Sequence, residues 1–185
     1  IEKANKFAED EWVLLLDGDD LFTKKKLENL QKLNLDKEIV YLHDHAIIKG
    51  TSLFNSKNQK KYKKLSLYKI LFNDWPEKIN TSSILLSSKK LKNFYKMNNP
   101  YKWKCLAIDV QLILYFHYKK KFIFLNKILT IKRENINNLD KRFSNYFKKI
   151  FWIRRLEQHN ITKELSGKNN FFDRLISIFL LKIFI

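Results

Sequence analysis

An acidic turn near the start of the chain could bind a divalent cation. Asp17, Gly18, Asp19 and Asp20 follow an unbroken apolar run, Trp-Val-Leu-Leu-Leu. Carboxylates crowded into one turn repel one another, and a divalent cation relieves that repulsion. Mg²⁺ or Mn²⁺ prefers such oxygen ligands, and the same cation can bridge a diphosphate. The turn therefore predicts a site for a metal-bound diphosphate.

A second interpretation of this turn needs no ligand. Asp-Gly often forms a tight turn, and Asp19 or Asp20 would favour the N-terminus of a following helix. The apolar strand before the turn favours the metal site. Two related acidic motifs fit less well. An EF-hand loop needs glycine at its sixth position, where Phe22 stands, and phosphatases of the haloacid-dehalogenase type have threonine in place of Leu21.

The elements around the turn should place it at the edge of a sheet. Residues 12–16 are typical of a strand buried on both faces, which predicts a parallel sheet. Open α/β sheets bind ligands outside the carboxyl ends of their strands. Lys24 to Leu33 then predicts a helix, with Leu27 and Leu30 at helical spacing. Glu38 to Ile48 predicts a second strand.

Helices and strands alternate along the rest of the chain, which predicts an α/β domain. Ser87 or Ser88 could cap one of the helices. The sequence pattern predicts helices over 65–72, 88–95 and 106–118, strands over 81–86, 122–125 and 128–131, and amphipathic C-terminal helices over 143–158 and 171–184.

Several segments from Ala4 to about Asp140 together resemble one enzyme family. Residues 4–8 and 11–13, Ala-Asn-Lys-Phe-Ala and Glu-Trp-Val, are similar to a helix that leads into an Asp-x-Asp strand, and residues 17–20 match that motif. The family is glycosyltransferase family 2, with the GT-A fold. The resemblance implies a Rossmann-like mixed sheet flanked by helices. It also implies that Asp17, Asp19 and Asp20 contact the nucleotide ribose and the diphosphate-bound metal, with a UDP-sugar as the expected donor.

Two downstream segments extend this resemblance. Asp109 stands where inverting members have the catalytic base of a Glu-Asp pair, with Ile108 in place of the glutamate. Residues 132–138 resemble the family's Tyr-Arg-x-His-x-x-Asn segment, with Asn135 in place of the histidine. The resemblance implies that Asp109 takes a proton from an acceptor hydroxyl and that Arg133 reaches a phosphate. Otherwise Asp109 is a helix-start aspartate and Arg133 an exposed basic residue at a strand end.

Other polar and aromatic residues point less clearly to chemistry. His43 and His45 would share a strand face, a spacing that could bind zinc, but no third ligand is evident. Ser82 and Ser83 resemble a polar patch on the family's acceptor side, although hydroxyls in strands are common. Trp103 fits core packing better than stacking on a sugar.

The charge of the chain allows several partners. Its 185 residues are 45% hydrophobic and carry a net charge of +18, but the 37 lysines and arginines include only five arginines. Nucleic-acid sites usually favour arginine, so we interpret the lysines as solvated surface and expect no nucleic-acid partner. Cys105 is the only cysteine, so an intrachain disulfide is impossible. We expect a cytoplasmic protein, with the C-terminal helices packed on the domain or lying on the inner face of the membrane.

The domain organisation is expected to be incomplete. The chain begins at Ile1 and enters an apolar strand by Trp12, so we expect that an N-terminal part, including the nucleobase-binding half of the site, is missing. Residues 1–140 would form a partial GT-A domain and residues 141–185 a helical extension. The last apolar run is shorter than the roughly 20 residues of a membrane span.

The functional expectation is a metal-dependent, inverting sugar transfer. The donor would be a nucleoside-diphosphate sugar, and the acceptor a hydroxyl of a surface glycan, such as lipopolysaccharide, or of its lipid-linked precursor. An alternative from another class is a non-catalytic basic module that binds an anionic membrane or nucleic acid.

Overall fold

A computed structural model of the chain describes residues 11–49, 52–55, 80–119, 121–133, 145–167 and 170–184. The described residues fold as a mixed α/β protein, as expected. They divide into two compact units. The sheet unit holds the described residues up to 99 and from 119 to 133, and the helical unit holds those of 100–118 and 145–184. The segments at 4–8, 65–72 and 134–138 discussed above lie outside the described residues.

The described part of the sheet unit contains one mixed sheet. Its strands are β1 (Trp12–Leu14), β2 (Leu21–Phe22), β3 (Val40–Lys49), β4 (Ser52–Asn55), β5 (Ile84–Ser87) and β6 (Phe122–Arg133). Their order is β1-β5-β3-β6-β2, and β4 pairs with β3. Only β3 and β6 run parallel among these pairs. The parallel sheet predicted around β1 is therefore wrong, because β1 pairs antiparallel with β5.

Burial along β1 alternates more than the apolar run suggests. Val13 and Leu15 are buried, whereas Trp12 and Leu14 are half-buried. Leu16 is 48% exposed, so the expectation of burial on both faces fails at the end of the run. Trp12 and Leu14 pack against a core cluster formed by Leu30, Tyr41, Leu85 and Leu129.

The first helix, α1 (Lys26–Gln31), turns an unexpected side toward the core. Leu27 is 61% exposed, whereas Lys26 and Leu30 are buried. Lys26, Leu30 and Leu33 are spaced so that they lie on one face of a helix, as three leucines at these positions would. The hydrocarbon stem of Lys26 thus replaces a leucine, and its ammonium group must be bound inside the protein.

Most elements after α1 lie where they were predicted, but β4 was not predicted. Helix α2 (Ser88–Met97) is capped by Ser87, whose Oγ accepts a hydrogen bond from Lys90 N. A short 3₁₀ turn (Thr81–Ser83) precedes β5 where a strand was predicted from Thr81. The two short strands predicted after residue 121 form the single strand β6, which pairs with β3 through register shifts at Asp44.

The helical unit consists of α3 (Ile108–Tyr118), α4 (Lys149–Ser166) and α5 (Phe171–Ile183). Helix α4 begins and ends later than predicted, and it stops at Gly167, whose φ of 68° is favourable for glycine. A core of Trp103, Leu106, Leu114 and Ile161 joins α3 to α4, so Trp103 packs in the interior as expected. Within the described residues, none of the helices has the length and apolarity required to cross a membrane.

Candidate functional site

The acidic turn, Asp17–Asp20, follows β1 directly and is closed by its own backbone. Asp20 N donates a hydrogen bond to Asp17 O over 3.1 Å. Asp20 is buried, with 5% exposure, whereas Asp17 is half-buried and Asp19 is exposed. A Cβ placed on Gly18 would meet no atom of the described residues within 4 Å, apart from its chain neighbours. The turn therefore presents Asp19 and open space outward and points Asp20 inward.

Ser82 holds both ends of this turn with one hydroxyl group. Its Oγ accepts a hydrogen bond from Asp17 N at 2.9 Å and donates one to Asp20 Oδ2 at 2.7 Å. Ser82 lies in the 3₁₀ turn before β5, the strand that pairs with β1. The antiparallel pairing of these strands thus brings the start of β5 beside the end of β1.

The end of β6 completes the support of the turn. Arg133 N donates to Asp20 Oδ1 over 3.2 Å, and the Arg133 side chain is exposed. The pairing of Leu21 with Ile131 brings this end of β6 to the residue after the turn. The structure therefore brings together four predicted site residues, Asp17, Asp19, Asp20 and Arg133, although Arg133 contacts the turn through its backbone.

A buried lysine lies beneath the turn. Lys26 is 1% exposed, and its Nζ donates to Ser82 O and to Thr130 Oγ1, each over 3.1 Å. Thr130 Oγ1 in turn donates to Ser82 O over 2.8 Å. Burial lowers the pKa of Lys26 to about 7. Sequence reasoning missed this residue, although its helical spacing with Leu30 and Leu33 was a usable signal.

His43 lies close enough to this lysine to feel its charge. Burial, followed by the charge of Lys26, lowers the pKa of His43 to about 4. Its Nδ1 lies 3.0 Å from Asp44 O. Among the described residues, no group of three His, Cys, Asp or Glu side chains is arranged to hold a metal, so the zinc alternative for His43 and His45 gains no support.

Two further polar groups near Ser82 have spare hydrogen-bonding capacity. Asn80 Oδ1 accepts from Ser82 N over 3.4 Å. Asn80 Nδ2 and Ser83 Oγ are buried and find no hydrogen-bond partner within the described part of the chain. The interior next to Ser82 is therefore polar, with buried groups that the described residues leave unsatisfied.

Asp109 belongs to the helical unit. It lies in the first turn of α3, is half-buried, and its Oδ1 accepts a hydrogen bond from Val110 N over 2.8 Å. This contact fits a carboxylate at a helix start. Asp109 and the acidic turn belong to different compact units. The role of Asp109 as the catalytic base therefore stays a prediction.

The turn offers few oxygen ligands. It therefore suits Mg²⁺ or Mn²⁺ that a substrate also binds, rather than a metal held by protein ligands alone. Asp19 and Asp20 supply hard oxygen ligands, but the carboxylate of Asp20 already accepts from Ser82 and from Arg133 N. Mg²⁺ usually binds one or two carboxylates together with waters and substrate phosphates. Asp17, Asp19 and Asp20 do not form a three-residue metal-binding group among the described residues, so a cation at this turn would also need phosphate or water ligands.

No protein family, curated protein or solved structure significantly matches this chain. The resemblance to glycosyltransferase family 2 consequently rests on the residues and spacings given above.

Proposed function

We propose that this chain acts in a metal-dependent glycosyltransferase reaction that uses a nucleoside-diphosphate sugar, with a UDP-sugar as the expected donor. The observation that carries the proposal is the acidic turn after β1, held at both ends by the Ser82 hydroxyl. A purely structural Asp-Gly turn requires no second acidic residue on its exposed side. Here Asp20 holds the turn, and Asp19 remains exposed.

The roles of the three aspartates follow from their burial. Asp19 offers its carboxylate to the metal, and Asp20 positions the turn and adds a lone pair that its two donors leave unused. Asp17 is assigned to the ribose, as the family resemblance implies. The open space over Gly18 leaves room for the diphosphate. A turn fixed before the ligand binds loses little conformational freedom on binding.

A bound Mg²⁺ or Mn²⁺ would neutralise the negative charge that develops on the departing diphosphate. The exposed guanidinium of Arg133, at the end of β6, would add charge-assisted hydrogen bonds to a phosphate oxygen.

In the proposed reaction the acceptor hydroxyl attacks the anomeric carbon of the donor sugar. The new bond forms between the acceptor oxygen and that carbon while the bond to the diphosphate oxygen breaks, and the nucleoside diphosphate leaves with the electron pair. Asp109 takes the proton of the acceptor hydroxyl. Attack from the face opposite the leaving group inverts the anomeric configuration. The acceptor belongs to a surface glycan or its lipid-linked precursor.

The finer fold assignment is part of the same proposal. A mixed sheet with helices α1 and α2 in the sheet unit is compatible with a GT-A-like domain. The alternative, a non-catalytic basic module, explains the net charge of +18 but gives no reason for the exposed Asp19 beside a held Asp20.

Isothermal titration of UDP into the purified protein tests the proposal. We expect UDP to bind when Mn²⁺ is present and to lose at least about tenfold in affinity when it is removed, because the metal joins the turn to the diphosphate. Asp19→Ala should abolish the metal-dependent part of binding.

Glu28→Ala is the matched control, since Glu28 is an exposed carboxylate of the same unit outside the turn. Its affinity for UDP should equal that of the wild type. UDP binding that is unchanged in Asp19→Ala would show that the turn is not the diphosphate site.

A further inference from the structure

Helix α5 turns Asp173 and Ser177 inward and most of its large apolar residues outward. Asp173 and Ser177 are its buried residues, with exposures of 1% and 0%. The exposed large side chains of the helix are Phe171, Phe172, Leu175, Ile176, Phe179 and Ile183, which are 37–67% exposed. A helix on the surface of a globular domain normally shows the opposite arrangement.

An ion pair fixes this orientation. Arg155 of α4 donates from Nε to Asp173 Oδ1 at 2.9 Å and from Nη2 to Oδ2 at 2.5 Å. His159 Nε2 of the same helix lies 3.1 Å from Asp173 Oδ2. Rotating α5 to hide its apolar side would break this bidentate pair and leave buried charges unpaired, which is costly. The outward direction of the apolar side chains is therefore built into the packing of α4 and α5.

These six apolar side chains cover one continuous arc of the helix, which we call the outer face of α5. At 100° per residue their positions fall within less than half of the helix circumference. Lys182 is the exposed charged residue in the same arc. Apolar surface of this extent on a protein marks an interaction site.

The charge of the surrounding sequence selects among the possible partners. Residues 141–185 contain ten lysines and arginines but three aspartates and glutamates, and the whole chain carries +18. A second copy would bring the same charge and repel the first. Nucleic acid offers negative charge but little exposed apolar surface. An anionic lipid surface offers negative headgroups and an apolar layer together.

We propose that the outer face of α5 docks this protein in-plane onto an anionic lipid surface. Thirteen helical residues span about 20 Å, less than the roughly 30 Å of a bilayer core. The helix therefore lies along the interface, with its phenylalanines among the acyl chains and the exposed Lys182 of the same arc facing the headgroups. This interaction is independent of the proposed sugar transfer.

Vesicle sedimentation tests this directly. The wild-type protein should sediment with vesicles of phosphatidylcholine mixed with phosphatidylglycerol, should bind phosphatidylcholine alone more weakly, and should dissociate progressively as salt is added. Phe172→Glu/Phe179→Glu should weaken binding by at least about a hundredfold, because burying each phenylalanine contributes about a tenfold gain or more.

Met97→Glu/Leu53→Glu is the matched control. Met97 and Leu53 are 68% and 59% exposed and lie in the sheet unit, so this variant makes the same change of charge and polarity elsewhere. Its vesicle binding should remain within a few-fold of the wild type.

A second pair of variants covers the case in which the glutamate substitutions disturb folding. Phe172→Trp should keep vesicle binding and gain fluorescence that brominated phosphatidylglycerol quenches, above the signal of the native tryptophans. Met97→Trp should gain fluorescence that these lipids do not quench.

Several results would overturn the proposal. The first is a wild-type protein that stays in the supernatant with anionic vesicles. The second is an equal loss of vesicle binding in the two glutamate double variants when both are folded. The third is the absence of added quenching in Phe172→Trp. A wild-type dimer that ignores vesicles and dissociates in Phe172→Glu/Phe179→Glu would assign the outer face to a second copy instead. None of these measurements depends on UDP, so the docking surface and the proposed sugar transfer can fail separately.

Discussion

The hydroxyl of Ser82 supports the acidic turn through two hydrogen bonds, one accepted and one donated. The neighbouring Ser83 provides a comparison. Ser82→Ala removes the acceptor of Asp17 N and a donor to the buried Asp20 carboxylate. We expect a loss of about 1–3 kcal/mol in the free energy of unfolding, because buried polar groups lose partners. UDP affinity in the presence of Mn²⁺ should also fall.

Ser83→Ala is the control for this prediction. Ser83 is as buried as Ser82, but its Oγ has no hydrogen-bond partner among the described residues. Urea unfolding should therefore show little change. Equal losses of stability in the two variants would mean that the hydroxyl of Ser82 does not hold the turn.

Lys26 should make the stability of the protein depend on pH. Its pKa is about 7 in the folded state, against 10.5 for an ordinary lysine, so the unfolded chain binds more protons between these values. The contribution of Lys26 to the free energy of unfolding therefore rises with pH through this window, by about 2 kcal/mol from pH 7 to 9. Burial of the charge costs most below pH 7.

Urea unfolding of the wild type and of Lys26→Met over pH 6 to 9 measures this effect. The stability of the wild type relative to Lys26→Met should increase as the pH rises. Lys24→Met, which changes an exposed lysine of the same segment, should follow the wild-type profile. A constant difference between wild type and Lys26→Met would mean that Lys26 keeps an ordinary pKa.

At the residue scale, the sequence was informative where several acidic side chains lie close together. The acidic turn is visible because several carboxylates follow an apolar strand, and the backbone N–H of Arg133 contacts it. Lys26 was missed because a lysine is normally exposed. Its ammonium group is accommodated by the carbonyl of Ser82 and the hydroxyl of Thr130, both distant in sequence, and by the ring of Phe22. Such a pairing depends on tertiary structure.

The pairing of α4 with α5 depends on one buried carboxylate. Burial acts to raise the pKa of Asp173, but His159 and Arg155 stabilise the carboxylate and the pKa is lowered overall. Asp173→Asn removes that charge and leaves Arg155 unpaired. We expect a loss of about 3 kcal/mol or more in the free energy of unfolding, as for other broken buried pairs.

The same carboxylate predicts acid sensitivity. A lowered folded pKa means that the stabilisation is complete above the unfolded pKa and is lost as the pH falls through the folded value. Urea unfolding should show this acid loss in the wild type and less of it in Asp173→Asn. Glu164→Gln removes an exposed partner of Lys102 and should cost less than about 1 kcal/mol. Equal losses in the two variants would contradict a buried role for Asp173.

Elements were predictable where local pattern decides them. Helices α2, α3 and α5 and the strands around the turn lie near their predicted positions, and Ser87 is the cap that its position suggested. The antiparallel partner of β1 was not predictable, because an apolar run fits burial beside a strand of either direction. The outward apolar face of α5 was equally hidden, since amphipathic spacing does not tell which side faces the core.

At the scale of the whole molecule, two proposed activities belong to different units. The acidic turn lies in the sheet unit, and the outer face of α5 lies in the helical unit. A lipid-linked acceptor would be reached most easily by an enzyme held at the lipid surface. Because the two proposed sites lie in different units, we expect anionic vesicles to leave the affinity for UDP nearly unchanged. Titration of UDP with and without vesicles would measure this. A large change would mean that the two sites are coupled.

Glycine-selective ¹⁵N labelling tests the metal site most directly, because the chain has three glycines, Gly18, Gly50 and Gly167, and one of them lies in the acidic turn. Bound Mn²⁺ broadens the amide signals of nearby nuclei. With UDP present, substoichiometric Mn²⁺ should broaden the Gly18 signal first and leave that of Gly167 sharp, and Asp19→Ala should abolish the selective broadening. A Gly18 signal that stays as sharp as that of Gly167 would contradict a metal-bound diphosphate site at this turn.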